Sequence, residues 1–250
     1  MNVVKIMGGL GNQLFQYAFA KSLERLGPVA LDVSYYTSDF NKRDDIPHRE
    51  YLLNFFADDL RYELQEDRKQ VNQWEYDPKV KYENCFFFGD WQRASYFKGV
   101  DLGIKFKDYF MSDDVKALAR QIRSGNSVSI HVRRTDYSKF NWLLDMSYYV
   151  RAVEEIEKYV EDPEFYIFSD DIPWCVANIP FHCREFVIKD ELSDFWLMSQ
   201  CKHNIIANST YSFWAAYLNE NPEKIVIYPS DWHINMNHPV DCLDGNWKGV

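Results

Sequence analysis

The 250-residue sequence has no apolar run of about 20 residues, the length that a helix needs to cross a membrane. A signal peptide is also missing, because residues 1–6 run directly into a glycine-rich loop. We therefore expect a cytoplasmic chain that begins inside its own fold and has no integral membrane segment. Peripheral contact with a membrane is compatible with this prediction, although no basic amphipathic helix argues for it.

The cysteines lack the spacings that bind zinc or form redox pairs. Their number is odd, and the sequence has neither a C-x-x-C pair nor a zinc-like Cys/His spacing. We expect reduced thiols. The five residues are Cys85, Cys175, Cys183, Cys201 and Cys242.

Positive charge is scarce, since 28 Lys and Arg residues stand against 38 Asp and Glu residues, a net charge of −10. Nucleic-acid binding depends on clustered Lys and Arg that neutralise phosphates, so the balance argues against a nucleic-acid partner. An anionic ligand requires positive charge that is concentrated locally. Two enzyme signatures are also missing, the P-loop of phosphoryl transfer and the G-x-S-x-G elbow of hydrolases.

Aromatic residues, by contrast, are abundant, with 8 Trp, 17 Tyr and 18 Phe. Large rings fill protein cores, and the faces of Trp and Tyr also pack on the C–H groups of sugars. Composition alone leaves both explanations open.

Short apolar runs alternate with helical patterns along much of the chain. Residues 3–6 and 29–33 predict two strands around a helix that follows the glycine-rich loop. In the second half, five apolar runs separated by helical segments indicate a parallel sheet covered on both faces. These strands are predicted at residues 127–132, 165–168, 186–188, 204–207 and 225–228. Residues 37–109 give no clear pattern.

The alternation predicts an α/β fold with two Rossmann-like domains that face each other across a cleft. We place the N-terminal domain at residues 1–120 and the C-terminal domain at residues 121–250. The boundary falls between Phe110 and Asn126, where a predicted helix precedes the second sheet.

Polar clusters follow three predicted strands of the second half. They are His131 to Asp136, Ser169-Asp170-Asp171 and Asn208-Ser209-Thr210. Ligands of open parallel sheets bind beyond the carboxyl ends of the strands. We therefore expect the three clusters to contribute to one binding site.

Each cluster has a functional interpretation and a plainer one. Arg133 and Arg134 present bidentate donors to phosphate oxygens, or they brace a domain interface. Asp136 orients one of these arginines or acts as a base. Residues 208–210 precede a helix, so their hydroxyl and N–H groups form an anion site or an ordinary N-cap.

Other carboxylates and amides have similar alternatives. Asp170 and Asp171 suit a helix cap, a nucleotide or a metal ion, although hard cations need more oxygen ligands than two neighbours supply. Asp194 matches the two N–H groups of guanine, or it is an exposed helix acid. The glycine-rich loop lacks the dinucleotide fingerprint G-x-G-x-x-G, and its Asn12 and Gln13 amides suit sugar hydroxyls.

Several sequence blocks occur in a fixed order from residue 7 to about residue 229. Four of them are Gly8-Gly9-Leu10-Gly11-Asn12-Gln13-Leu14-Phe15-Gln16-Tyr17-Ala18, His131-Val132-Arg133-Arg134-Thr135-Asp136, Phe168-Ser169-Asp170-Asp171 and Ala207-Asn208-Ser209-Thr210-Tyr211-Ser212-Phe213-Trp214-Ala215-Ala216. A fifth runs from Gly89-Asp90-Trp91-Gln92 to Tyr96-Phe97. Together the blocks resemble the α-1,2-fucosyltransferase family (glycosyltransferase family 11) in its bacterial form.

The resemblance implies a GT-B architecture and inverting transfer of L-fucose from GDP-fucose to a galactose hydroxyl in α-1,2 linkage. No metal or other cofactor is required in that family. The acceptor it implies is a galactose-containing oligosaccharide or a lipid-linked glycan. Two alternatives stay open: the same scaffold with a different linkage or donor sugar, and a non-catalytic glycan-binding protein.

The family motifs also imply residue roles. Arg133 would neutralise the β-phosphate of the leaving GDP, and Arg134 and Asp136 are the other expected catalytic residues. By the same resemblance, the N-terminal domain (1–120) would be the acceptor side and the C-terminal domain (121–250) would bind the GDP-sugar. Trp91 and Gln92 would line the acceptor side. The residues expected to bind the donor are Gly11, Asn12, Gln13, His131, Arg133, Asp171, Asp194, Asn208, Ser209 and Thr210. The general base stays unassigned, because the run after Asp136 contains no acid before Asp145.

Overall fold

The computed structural model describes residues 1–45, 47–58, 60–64, 67–232, 241 and 245–250. Within these ranges the chain forms two compact units. Residues 1–107 and Asp241 make the first unit, and residues 108–232 with 245–250 make the second. Residue 120, where the sequence analysis divides the domains, lies in a helix of the second unit.

The first unit is built on a four-stranded parallel sheet. Its strands are β1 (Asn2–Lys5), β2 (Val29–Asp32), β3 (Lys69–Asn72) and β4 (Cys85–Phe88), in the order β2-β1-β4-β3. Helix α1 (Leu10–Leu23) connects β1 to β2. The βαβ start predicted from the sequence is therefore confirmed.

Between β2 and β4 the chain has little regular structure. Besides β3 it forms 3₁₀ turns at Ser34–Thr37, Leu53–Phe55 and Gln73–Glu75. β3 buries only Val71, so its sequence carries no apolar run that would predict a strand.

An aromatic cluster forms much of the core of this unit. Trp91 is fully buried and stacks on Phe19, with ring centroids 3.8 Å apart. Tyr76 and Phe87 approach Trp91 edge-on, at 5.6 and 6.0 Å. Such pairs contribute about 0.5–1.5 kcal/mol each beyond burial. For these rings, core packing accounts for the aromatic excess.

The second unit is a six-stranded parallel sheet with helices between the strands. The sheet order is β10-β9-β8-β5-β6-β7. In chain order the elements are α2 (Asp113–Ser124), β5 (Ser127–Val132), α3 (Met146–Ile156), β6 (Glu164–Ser169), α4 (Ile172–Asn178), β7 (Glu185–Val187), α5 (Glu191–Gln200), β8 (His203–Ile205), α6 (Thr210–Tyr217), β9 (Val226–Tyr228) and β10 (Trp247–Gly249).

The core of the second unit lies between β5 and the helices that cover it. β5 is buried at every position, and its Val128, Ile130 and Val132 belong to one cluster with Tyr149 and Ile156 of α3. Burying a side chain of this size contributes about 1.5–3 kcal/mol. The five strands predicted for this half are confirmed within one or two residues, whereas β10 was not predicted.

No disulfide joins the cysteines in the described ranges. Cys85, Cys175 and Cys201 are buried, and Cys183 is half-buried. Cys242 lies outside the described residues.

Candidate functional site

The carboxyl ends of three neighbouring strands meet at one edge of the second sheet. β5 lies between β6 and β8, with Val132 paired to Ser169 and Ile130 paired to Ile205. The segments after these strands therefore lie side by side. They are the three polar clusters that the sequence places at strand ends.

Arg133 is held between two carboxylates. Its Nε and Nη2 donate to Oδ1 and Oδ2 of Asp136 at 3.0 and 2.8 Å, and its Nη1 lies 3.2 Å from Oδ2 of Asp170. The guanidinium carbon lies 5.5 Å from the centre of the Tyr137 ring. A guanidinium has five N–H donors. If each of the three nitrogens donates one N–H to a carboxylate, two N–H donors remain available for another anion.

Asp170 organises the loop that follows β5. Its Oδ1 accepts the backbone N–H of Arg134 at 2.8 Å, and its Oδ2 accepts the backbone N–H and the hydroxyl of Thr135 at 3.1 and 2.5 Å. This role of Asp170 was not predicted from the sequence. The strand register would have indicated it, because the pairing of Val132 with Ser169 puts Asp170 opposite Arg133.

Arg134 is braced against α4. Its Nε lies 3.3 Å from Oδ2 of Asp171, and its guanidinium carbon lies 3.5 Å from the centre of the Trp174 ring. Asp171 is also the N-cap of α4, since its Oδ1 accepts the backbone N–H of Trp174 at 3.1 Å. The helix-cap interpretation of Asp171 is thus confirmed. The stacking of Arg134 on Trp174 was not predicted from the sequence.

Asn208, Ser209 and Thr210 lie where α6 begins. Ser209 is a buried N-cap whose side chain makes no capping hydrogen bond, and Thr210 is the first helical residue. Asn208 Nδ2 donates to the carbonyl of Trp142 at 2.9 Å, and the Tyr137 hydroxyl donates to the Asn208 carbonyl at 3.1 Å. The first N–H groups of a helix have no intrahelical partner. This end of α6 therefore has the chemistry of an anion site.

His131 is a neutral side chain inside the unit. It is only 4% exposed, and burial together with the charge of Arg133 lowers its pKa to about 3. Its Nδ1 has no hydrogen-bond partner among the described residues. The Tyr211 ring lies 5.4 Å away, centre to centre. The Tyr211 hydroxyl donates to the carbonyl of Glu191.

Asp194, on the first turns of α5, is a partly buried acid. Burial and the charge of Asp190 raise its pKa to about 7, and its Oδ1 has no partner in the described part of the chain. The charge of Asp194 also raises the pKa of Tyr211, after the larger effect of burial. A buried polar atom without a partner costs about 1–3 kcal/mol. Complementary N–H groups from a ligand would remove that cost.

The sequence model of glycosyl transferase family 11 matches residues 66–249. The chain belongs to glycosyl transferase family 11. The family predicted from the sequence blocks is confirmed.

Two proteins of Escherichia coli align with nearly the whole of this family 11 chain. The O-antigen biosynthesis glycosyltransferase WbnK is 31% identical, over 96% of this chain and 97% of its own. Alpha-1,2-colitosyltransferase is 30% identical, over 92% of this chain and 91% of its own. The bovine galactoside 2-alpha-L-fucosyltransferase SEC1 is 35% identical over a shorter stretch, 38% of this chain and 29% of the relative.

Solved fucosyltransferase structures share the fold. NodZ alpha-1,6-fucosyltransferase, co-crystallised with GDP, superposes with a TM-score of 0.59 over 90% of this chain and 94% of its own, at 15% identity. POFUT1 in complex with GDP-fucose gives 0.51 over 91% and 97%, at 12% identity. The predicted fold class, α/β with Rossmann-like domains of the GT-B type, is confirmed.

In the first unit, the Gln13 side chain is fully buried and occupied by backbone groups. Its Nε2 donates to the carbonyls of Gly8 at 3.2 Å and Glu50 at 2.7 Å, and its Oε1 accepts the N–H of Leu52 at 2.8 Å. Gln13 thus ties the glycine-rich loop to residues 50–52. With these partners it acts as a brace rather than as a group open to a sugar.

Its neighbours Gly11 and Asn12 lie in the first turn of α1. Asn12 is half-buried, and its Oδ1 accepts Nε2 of Gln92 at 3.1 Å. Gly8 has a φ of 78°, and a Cβ there would lie 3.1 Å from Nδ2 of Asn12. Glycine therefore keeps the loop close to Asn12. The predicted acceptor residue Trp91 has no exposed surface.

Among the helices of the described residues, none combines the length and the hydrophobicity that a membrane-spanning segment needs. The same residues contain no group of three or more His, Cys, Asp or Glu side chains arranged to hold a metal ion. Metal independence of the reaction stays a prediction.

Proposed function

We propose that this family 11 protein is an inverting fucosyltransferase, which moves L-fucose from GDP-fucose to a galactose hydroxyl of a glycan in α-1,2 linkage. The observation that carries the proposal is the Arg133 guanidinium, which Asp136 and Asp170 fix in place. It lies over the ring of Tyr137, whose hydroxyl donates to the Asn208 carbonyl just before α6. The relatives support it, because SEC1 is a galactoside 2-alpha-L-fucosyltransferase and NodZ was crystallised with GDP.

The diphosphate binds at the ends of β5 and β8. The two remaining N–H donors of Arg133 meet the β-phosphate, and the N-terminus of α6 with Ser209 and Thr210 meets the same group. Arg134 adds positive charge while Asp171 and Trp174 hold it in place. Negative charge grows on the diphosphate as the bond to the sugar breaks. Donors fixed in advance stabilise it, and losing one typically costs about 10²–10³ in rate.

The guanine base binds beside His131 and Asp194. An ionised Asp194 accepts both the N1–H and the amino group of guanine, a pair that adenine lacks. The neutral His131 offers a nitrogen without adding charge near Arg133. The unpartnered Oδ1 of Asp194 is the observation that supports this placement.

The transfer is a single displacement. The acceptor oxygen forms a bond to the anomeric carbon while the bond from that carbon to the GDP oxygen breaks, which inverts the centre. The proton of the acceptor hydroxyl passes to a general base. Among the three predicted catalytic residues, Asp136 is the carboxylate that could act as this base. Both of its oxygens accept hydrogen bonds from Arg133, however, so its role is to orient that guanidinium. The base stays unassigned.

A second candidate donor is a colitose nucleotide. The α-1,2-colitosyltransferase relative, 30% identical over 92% of this chain, favours it. The same diphosphate and guanine contacts serve either sugar, so the alternative concerns the sugar and not the mechanism. The cytoplasmic location and the lipid-linked or oligosaccharide acceptor stay predictions.

Donor selection tests the proposal directly. The protein is incubated with GDP-fucose, GDP-colitose, GDP-mannose or UDP-galactose and a panel of galactosides, with EDTA present. We expect transfer from GDP-fucose, and NMR of the product should give an α-1,2 linkage. Transfer from GDP-colitose alone would establish the second candidate. If GDP-fucose is neither bound nor consumed, fucosyl transfer is wrong.

Arg133→Lys is the variant that tests the phosphate contact, because lysine keeps the charge and loses the fork of donors. We expect turnover to fall about 10²-fold, in line with the loss of a fixed donor. Arg120→Lys, on the exposed surface of α2, is the matched control and should leave turnover unchanged. Calorimetry with GDP tests the glycan-binding alternative. Binding of GDP would exclude it, since a lectin has no affinity for GDP.

A further inference from the structure

A cavity of about 250 Å³ lies at the same edge of the second sheet, beyond the ends of β8 and β9. Its polar lining includes Asp145, Arg151, Asn208 and Asp231. Tyr148 of α3 also lines it, and the Tyr148 hydroxyl donates to the carbonyl of Ile206 at 2.5 Å. The helix and the strand ends thus form fixed walls.

The charges of the lining favour a neutral ligand. Two carboxylates, Asp145 and Asp231, stand against one guanidinium, Arg151, so a phosphate or carboxylate would meet net negative charge. Arg151 Nη1 donates to the Ser147 hydroxyl at 3.2 Å, and Asp145 Oδ1 accepts the N–H of the same serine at 2.8 Å. Hydrogen-bonding groups of both polarities therefore line one small space, as a polyhydroxylated ligand requires.

Asn208 supplies an independent observation. It is 4% exposed, it lines the cavity, and its Oδ1 has no partner among the described residues. Its Nδ2 is fixed by the carbonyl of Trp142. An amide that is held by its nitrogen and unsatisfied at its oxygen is suited to accept a hydrogen bond from a ligand hydroxyl.

Two partly exposed aromatic side chains lie at the cavity. Trp142 lines it and is 37% exposed, while the neighbouring Phe140 is 57% exposed. The two rings stack with centroids 4.8 Å apart, because Asn141 between them has a left-handed backbone with a φ of 56°. Aromatic side chains next to a few polar groups are typical of the lining of ligand sites. Flat rings of this kind pack on the C–H faces of sugars.

Size and position distinguish this cavity from the donor site. Sites for drug-sized ligands measure about 300–1,000 Å³, so 250 Å³ suits one sugar ring and not a nucleotide sugar. Asn208 joins the two places, because it lines the cavity and directly precedes Ser209 of the phosphate-binding helix end.

We propose that the cavity walled by Trp142, Asn208 and Asp231 binds one neutral sugar of the acceptor glycan, a hexose or N-acetylhexosamine next to the galactose that receives fucose. The inference rests on the proposed function and deepens it by naming a second saccharide subsite. Through this cavity the protein recognises a second sugar of the acceptor in addition to the terminal galactose. Acceptors of two or more sugars bind better than a simple galactoside for this reason.

Calorimetry with saccharides tests the subsite without requiring turnover. The probes are methyl β-galactoside and three galactose-terminated disaccharides: lactose, N-acetyllactosamine and galactosyl-β-1,3-N-acetylgalactosamine. Each is titrated with and without GDP. We expect at least one disaccharide to bind about tenfold more tightly than the monosaccharide, a gain of about 1.4 kcal/mol.

Trp142→Ala and Asp231→Asn are the test variants, since neither residue belongs to the proposed donor site. Both should abolish the preference for the disaccharide and leave the affinity for GDP unchanged. Trp74→Ala is the matched control, because Trp74 is 79% exposed and belongs to the first unit. Melting temperatures confirm that all variants are folded.

Two results overturn the subsite: no disaccharide preference in the wild-type protein, or the same preference in Trp142→Ala. Failure of the proposed function gives a different result, the absence of GDP-fucose binding and consumption. Disaccharide binding that depends on Trp142 would support the subsite even then.

Discussion

The Asp136 carboxylate accepts two hydrogen bonds from the Arg133 guanidinium, at 3.0 and 2.8 Å. Such a fork-to-fork pair fixes the plane of the guanidinium as well as its distance. The donors that are left for a phosphate therefore point in a direction set by Asp136. Precise alignment of these donors matters, because a displacement of about 1 Å can cost about 10² in rate.

We predict that Asp136→Ala lowers kcat about 10²-fold, because Arg133 loses its fixed orientation. Steady-state kinetics with GDP-fucose measures the change. The double variant with Arg133→Lys should be little worse than either single variant, since the two residues act as one unit. Additive losses would show that Asp136 acts independently, as a base would.

Asp194 makes stability depend on pH. Its folded pKa is raised to about 7 by burial and Asp190, so the fold favours the neutral acid. Its contribution is fully present below the ordinary Asp pKa of about 3.9 and is lost as pH rises through 7. A shift of about three units sets an upper limit near 4 kcal/mol, and partial exposure reduces it to about 2 kcal/mol.

Asp194→Asn should therefore be more stable than the wild type at pH 8, by about 2 kcal/mol, and equal to it near pH 4. Urea denaturation at a series of pH values measures the difference. Asp44→Asn, an exposed acid of the first unit, is the control and should change nothing. A stability difference that does not depend on pH would contradict the role given to this carboxyl.

The affinity for GDP should also depend on pH through Asp194, but it should rise with pH, whereas the stability contribution falls. Guanine needs the ionised form of Asp194, so binding lowers its pKa and releases a proton. We expect affinity about tenfold higher at pH 8 than at pH 6, because the ionised fraction changes by about that factor. Calorimetry in two buffers of different ionisation enthalpy counts the released proton. In Asp194→Asn, proton release and the preference for GDP over ADP should both disappear.

Gln13 is expected to act on stability. Gln13→Leu leaves the buried N–H of Leu52 without its partner and takes one donor from the carbonyls of Gly8 and Glu50. We predict a loss of about 1–3 kcal/mol in the free energy of unfolding, the usual cost of one buried group left unpaired. Gln70→Leu on the exposed strand β3 is the control. Unchanged stability with weaker donor binding would instead indicate direct contact with the sugar.

The sequence was most informative where strands are buried on both faces. Apolar runs such as 127–132 predict β5 closely, and strand-end polarity then identifies Arg133, Asp171 and Ser209 as neighbours. β3 and β10 escape prediction, because exposed edge residues carry no apolar period.

Roles that depend on register or packing were not available from the sequence. Asp170 and Asp171 are adjacent and identical, yet one organises the loop after β5 and the other caps α4. Trp91 is a conspicuous aromatic in a family block, and it lies in the core on Phe19. Residue type gives the chemistry that is possible, and the partners give the role.

The carboxylates that hold the arginines also affect how the donor arrives. Arg133 and Arg134 lie against Asp136, Asp170 and Asp171, so the positive charges are balanced locally within a chain of net charge −10. Long-range attraction steers anionic ligands only where positive potential extends into solvent. Here the donor nucleotide is recognised after encounter, through short-range hydrogen bonds. Its association rate should consequently be modest and nearly insensitive to ionic strength, even though a dianion is being bound.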